Sequence, residues 1–307
     1  MLKTNEDIRD IFFGNINKLF KKKKDLYILT NDADVFAFKD IKRNKRFLDV
    51  GVCEQNLINI AAGLASQKKK VIIFGFCNFL IHRAFEQIKI NIASMNLPVN
   101  IVGIGPGFSF PYDGPTHHAT QDISNINSLP EFEIINISEP NLANYVSKNI
   151  LRNKCPTYIR IDKGVFPSQK FDNFDKGYSF YYKKKNKKNK KLVISSGYFS
   201  HKAFEITKKN KSFDLLDIYK IRINEKIFLH DIRQYKKVIF YDENTYEGGI
   251  TPIILRVLLK AKKNFKIYYK LVPSKQIFLY SQSREDLFKK LKIDKKNLEN
   301  FLRNLNN

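Results

Sequence analysis

The sequence predicts an α/β protein of two domains, each with a mostly parallel sheet flanked by helices. Three observations carry this. Strand-like apolar runs alternate with helix-period patterns along the chain. The alternation breaks once, at residues 163–191, where a proline, glycines, aromatics and a run of lysines gather. The length, 307 residues, suits two ordinary domains better than one.

The elements follow in order. "LYILT" (26–30) is a short apolar run after a basic helix end, and "FLDV" (47–50) leads to a helix opened by Glu54. "VIIFGF" (71–76) and "VNIVGIG" (99–105) read as buried strands, with "HRAFEQIKINIASM" (82–95) between them as a helix carrying Phe85, Ile88 and Ile92 on one side. "TQDISNINSL" (120–129) and "NLANYVSKNIL" (141–151) read as helices, and "FEIINI" (132–137) and "TYIRI" (157–161) as strands. These make a first domain, 1–165. A linker with a short extended piece, 166–190, leads to a second set: "KLVISSG", "SHKAFEITKK", "FDLLDIY", "KKVIFYDEN", "GGITPIILRVLLKA", "FKIYYKLV" and the final helical "KKNLENFLRNL". That set forms a second domain, 191–307.

Composition narrows the function. With 43% hydrophobic and 13% aromatic residues the chain can bury a sizeable core, and no segment is long and apolar enough to span a membrane. The start, "MLKTNEDIRD", carries acids and lacks the apolar centre of a secretory signal. Cys53, Cys77 and Cys155 have no disulfide or metal-ligand spacing, which points to a reduced cytoplasm. The net charge of +25 would suit nucleic acid, but the lysines are scattered or sit in loop-like runs at 21–24, 68–70 and 183–191. A bias towards Lys, Asn and Ile accounts for the same charge, which can also collect phosphorylated substrates.

Ligands of open parallel sheets bind beyond the carboxyl ends of strands. Three polar clusters fall there: Glu54 after "FLDVGVC"; Phe76, Cys77, Asn78, Phe79 and His82 after "VIIFG"; and the long loop "GIGPGFSFPYDGPTHHATQDI" (103–123) with Asp113, His117 and His118. Each has two readings. Glu54 is either a charge at the positive end of a helix or a buried carboxylate kept for proton chemistry. The adjacent histidines are surface residues or half a metal site, although no Cys or Glu completes a ligand set. Phe76 and Phe79 read as core residues when taken alone.

Taken together, "VGVCEQNLINIAAGLA", "FCNFLIHRAFEQIKINIA", "NLPVNIVGIGPGFSF", "DGPTHHATQDI" and "TYIRIDKG" resemble the pyrimidine-binding domain of transketolase. "VIFYDENTYEGGITPIILRVLL" resembles part of the same family's C-terminal domain. The resemblance implies a thiamine diphosphate-dependent transferase that moves a two-carbon ketol unit from a ketose to an aldose. The family's Gly-Asp-Gly motif, which holds the diphosphate through Mg²⁺, is absent from this sequence. The resemblance therefore implies the C-terminal half of a split transketolase. Its partner is an N-terminal diphosphate-binding subunit, and the assembly is a dimer of heterodimers.

The same resemblance assigns residues. Glu54 hydrogen-bonds a ring nitrogen of the aminopyrimidine and favours the imino tautomer; a mostly apolar setting disfavours its charged form, so its proton can be shared. Phe76 and Phe79 pack against the pyrimidine. Asp113 and His117 contact donor-sugar hydroxyls, His117 also shuttling protons. His118 stands beside them, and Arg160 and Arg9 fall where the family binds a sugar phosphate. Gly105 stands in place of a common phosphate-binding His, His118 in place of a common Gln, and Tyr112 in place of a common acid. These departures leave the sugars open. The rivals are a deoxyxylulose phosphate synthase, the beta subunit of a 2-oxo acid dehydrogenase's decarboxylase component, and a non-enzymatic binding relative.

Overall fold

The structure, a computed structural model, describes residues 6–169, 173–183, 190–209, 212–276 and 279–305. Parts of the expected linker and of the lysine run at 183–191 lie outside the described residues. The chain divides into two compact units: Met1–Pro106 with Asn125–Ser168, and Gly107–Ser124 with Gln169–Asn307.

The first unit is built on a six-stranded parallel sheet. Its strands are β1 (Leu26–Thr30), β2 (Phe47–Asp49), β3 (Lys70–Phe76), β4 (Val99–Ile104), β5 (Glu133–Ile137) and β6 (Thr157–Ile161). They lie in the order β2-β1-β3-β4-β6-β5. Every residue of β4 is buried, as a central parallel strand covered on both faces requires. Helix α1 (Ile8–Lys22) buries Ile8, Phe12, Phe13, Ile16 and Phe20, an apolar stripe of helical period. Asp7 caps it, accepting from the Arg9 N–H at 2.8 Å, and its other oxygen accepts from the Gly164 N–H at 2.7 Å. The start of α1 is thereby tied to the segment after β6. Helix α2 (Glu54–Ser66) turns Leu57, Ile58, Ala61, Ala62 and Ala65 inward, and leaves Gln55, Asn56 and Asn59 exposed.

The helix expected from residue 82 begins earlier and winds differently. A π-helical turn, Phe79–Arg83, is followed by a single α turn, α3 (Phe85–Gln87), and a second π-helical stretch, Ile88–Ala93. Leu80, Ile81, Ala84, Ile88 and Ile92 are buried along it. Their separation is mostly four residues, which a wider turn keeps on one face. The strand that this segment leaves and the helix α5 (Pro140–Asn149), capped by Glu139, fall where the sequence predicts them.

The second unit carries β7 (Tyr178–Tyr182), β8 (Lys191–Ser195), β9 (Asp214–Ile218), β10 (Lys237–Thr245) and β11 (Lys266–Val272) in the order β11-β10-β8-β9-β7. All neighbours are parallel except β7, which pairs antiparallel with β9. The short extended piece expected at the linker is thus an edge strand. Helices α6 (Tyr198–Lys209), α7 (Glu225–Ile232), α8 (Thr251–Leu258), α9 (Arg284–Lys290) and α10 (Lys295–Asn304) complete the unit; α7 and α9 are additions to the predicted set. Phe199, Phe213, Tyr241, Phe288, Leu298 and Leu302 share one core. Helix α4 (Asp122–Asn127) contains the point at which the chain passes from the second unit to the first. No helix among the described residues is long and apolar enough to cross a membrane.

The loop 107–124 belongs to the second unit for identifiable reasons. Gly107 and Ala119 exchange backbone hydrogen bonds of 2.9 Å in each direction, closing the loop. Gly107 has φ +60°, and a Cβ there would lie 2.3 Å from the Glu243 carboxyl carbon, so only glycine fits. Glu243, on β10, accepts from the Phe108 N–H at 2.8 Å and is held in a buried ion pair with Arg284 of α9. The Arg284 guanidinium lies 3.8 Å over the Tyr198 ring.

Candidate active site

The first unit's strand order reverses between β1 and β3, with β2 outside β1. That reversal opens a crevice at the carboxyl ends, the usual ligand position of such sheets. Three segments meet its rim: the residues after β1, the turn from β2 into α2, and the end of β3. Asp49 organises the first two. Its Oδ1 accepts from the Asp32 N–H at 2.9 Å and the Gly51 N–H at 3.0 Å. Val50 donates to the Thr30 carbonyl at 3.0 Å. These bonds hold the approach to Glu54 against the end of β1.

Glu54 is the first residue of α2 and is only 4% exposed. Both sequence readings therefore meet in it: a carboxylate at a helix's positive end, and a buried one. The mostly apolar setting expected for it is not what surrounds it. Asn31 Nδ2 donates to its Oε1 at 3.1 Å, and Arg83 Nη1 donates to the same oxygen at 2.9 Å. Both bonds end on Oε1 and leave Oε2 out.

Arg83 also links Glu54 to the aromatics. Its guanidinium carbon lies 4.0 Å from the centroid of the Phe79 ring. Phe79 meets Phe76 edge-on, with centroids 5.8 Å apart. The π turn explains the stacking: its wider winding sets residue 83 nearly above residue 79. Glu54, Phe76 and Phe79 thus form one cluster through a residue that sequence reasoning misses. Asn31 is missed too. A signal exists for both: Asn31 follows the carboxyl end of a strand, and Arg83 lies four residues after Phe79. Gly75 completes the group, since a Cβ there would lie 2.2 Å from Asn31 Oδ1.

Arg160 and Arg9 lie elsewhere in the first unit. Arg160 is the fourth residue of β6 and is 2% exposed. Arg9 sits in the first turn of α1, and its Nε is buried without an acceptor among the described residues. Asp7 beside it has its carboxyl raised above the ordinary carboxylate range by burial, opposed by the Arg9 and Gly164 N–H groups.

The other predicted residues sit on the second unit's loop. Asp113 is exposed and His117 half-buried, its Nδ1 3.0 Å from Thr116 Oγ1 and its ring 5.9 Å from Phe110. His118 is buried, with its ring edge-on to Phe108 at 4.7 Å. A Cβ on Gly114 would meet the Tyr280 ring at 2.1 Å, and the Ser281 N–H donates to the Pro111 carbonyl. The loop is a built structure, not filler. No group of three or more His, Cys, Asp or Glu side chains disposed for a metal occurs among the described residues.

Comparison with protein families matches residues 6–169 to the transketolase pyrimidine binding domain. This chain belongs to the transketolase family. One of the two subunits of the apulose-4-phosphate transketolase of Phocaeicola vulgatus is 24% identical over 81% of this chain and 83% of its own length. The 1-deoxy-D-xylulose-5-phosphate synthase of Treponema pallidum is 28% identical over 70% of this chain, which spans only 35% of the synthase. A solved split gene transketolase, described as an inactive beta4 tetramer, superposes with a TM-score of 0.81 at 19% identity, covering 97% of both chains. The transketolase-like α/β fold expected from the sequence is borne out, as is the family. This transketolase-family chain has the extent of one subunit of the split kind, and it is a transferase subunit.

Proposed function

We propose that the chain is the pyrimidine-binding and C-terminal half of a two-chain transketolase that moves a two-carbon ketol unit from a ketose phosphate to an aldose. The single observation that carries the reading is the Glu54 site: a buried carboxylate with one oxygen engaged by Asn31 and Arg83, beside two aromatic rings. Such a site suits a flat ring that offers a hydrogen-bonding nitrogen at its edge. Thiamine diphosphate, when bound, supplies the electron sink for carbon–carbon cleavage. Glu54 holds a proton at the pyrimidine ring nitrogen, and Phe76 and Phe79 orient the ring and exclude water.

Asp113 and His117 bind the donor sugar's hydroxyls, and His117 moves a proton to or from the sugar. His118 stands as a further sugar contact. Arg9 and Arg160 take the sugar phosphate; the Arg9 Nε without an acceptor supports this. Mg²⁺ and the diphosphate belong to the partner chain. The domains run over 1–165 and 191–307, joined by 166–190, and the assembly is a dimer of heterodimers in the cytoplasm. The split-gene relative's description as an inactive tetramer of beta chains supports a half that is inert by itself.

The test mixes the purified chain with a diphosphate-binding half, thiamine diphosphate, Mg²⁺, a ketose phosphate and an aldose. Turnover is expected only with both halves. Glu54→Gln is expected to abolish it while the chain keeps its far-UV dichroism and melting temperature. Wild-type rates from the Glu54→Gln complex would sink the reading. The similarity to the Treponema pallidum synthase favours one second reading, a deoxyxylulose phosphate synthase activity, and product formation from pyruvate instead of the ketose phosphate separates the two.

A further inference from the structure

We infer that Arg83, with Asn31, is a positioning residue for Glu54: together they occupy Oε1 and leave Oε2 as the only oxygen presented to a bound ring. The inference rests on the reading of Glu54 given above, and adds residues that neither the sequence motifs nor the family resemblance assigned.

A carboxylate rotating about its last bond offers its two oxygens alternately, and in either orientation its plane is loosely set. Two donors converging on Oε1, at 3.1 and 2.9 Å from different segments of the chain, remove that freedom. Asn31 comes from the end of β1, and its place is fixed because Gly75 on the neighbouring strand lacks a Cβ. Arg83 comes from the π turn. Its guanidinium plane is fixed in turn by the Phe79 ring, 4.0 Å away. One planar group therefore sets both the carboxylate and the aromatic wall. Lysine lacks the flat fork and would serve only half of this. The Arg83 side chain is 48% exposed while that of Glu54 is 5% exposed, so the guanidinium reaches from the rim inward and its loss leaves no cavity in the core.

The experiment uses the two-chain complex, with thiamine diphosphate affinity read by calorimetry alongside kcat and the sugar KM. Arg83→Met is expected to weaken cofactor binding about tenfold, the scale of one charge-assisted hydrogen bond, and to lower kcat with the sugar KM unchanged. Arg83→Lys is expected to recover part of both. Asn31→Ala is expected to move the same two quantities in the same direction. In a Glu54→Gln background, Arg83→Met is expected to change cofactor affinity no further, because its effect runs through the carboxylate. Unchanged affinity in Arg83→Met overturns the inference. Tighter binding also overturns it, since Arg83 would then be an occupant that the cofactor must displace. An undiminished effect in the Glu54→Gln background overturns it as well. Full turnover by Glu54→Gln alone is a different failure, that of the underlying reading.

Discussion

At Glu54 a helix's first residue, a strand's last contacts and one guanidinium converge on a single carboxylate oxygen. The arrangement depends on an atom that is missing. A methyl group at residue 75 would collide with Asn31 Oδ1 and come within 3.2 Å of Leu80 Cγ. Gly75→Ala is therefore expected to push Asn31 off Glu54. A stability loss of about 1–3 kcal/mol, the usual range for overpacking, should appear in urea unfolding. Turnover of the two-chain complex should fall in parallel. A variant as stable and as active as the wild type would show that Asn31 has room to yield.

Between elements, the second unit is fastened by the ion pair of Glu243 on β10 with Arg284 on α9. Their side chains are 8% and 13% exposed, so removing one partner strands a buried charge. Arg284→Met is expected to cost about 3–5 kcal/mol in denaturant unfolding, the scale for breaking a buried pair. Pairing it with Glu243→Met should return part of that loss, since two apolar side chains leave no uncompensated charge. The glutamate also accepts from Phe108, so the first lesion should loosen the loop that carries Asp113 and His117.

At the start of α1 the balance differs. Burial raises the Asp7 carboxyl above its ordinary range. Over the window between its unfolded and folded values the native state binds more protons, so stability falls as pH rises through it. Asn at this position caps the helix without titrating. The stability of the wild type minus that of Asp7→Asn should therefore shrink as pH rises from the ordinary carboxylate range. A difference that grows with pH would contradict the assignment.

For the molecule as a whole, the prediction is one of incompleteness. The chain carries a pyrimidine-binding domain and lacks the Gly-Asp-Gly sequence of the diphosphate half. The isolated chain should show no saturable thiamine diphosphate binding in calorimetry, and a diphosphate-binding partner should restore it. Its +25 charge bears on the encounter with anionic substrates, an effect that weakens with added salt. Tight cofactor binding by the chain alone would mean that it supplies its own diphosphate site.

The sequence by itself determined the class of fold, most strands and the identity of Glu54, because burial in parallel strands and helical period leave local marks on residue order. It also placed the ordered motifs that carry the family. Only the tertiary structure decided which donors Glu54 meets, since Asn31, Gly75 and Arg83 are brought together by the crossover of β1 and β3 and by a π turn that no local period announces. It alone assigned the loop 107–124 to the second unit, through contacts with residues more than a hundred positions away. Residue order records which side chains avoid water; which of the polar ones meet is settled by topology.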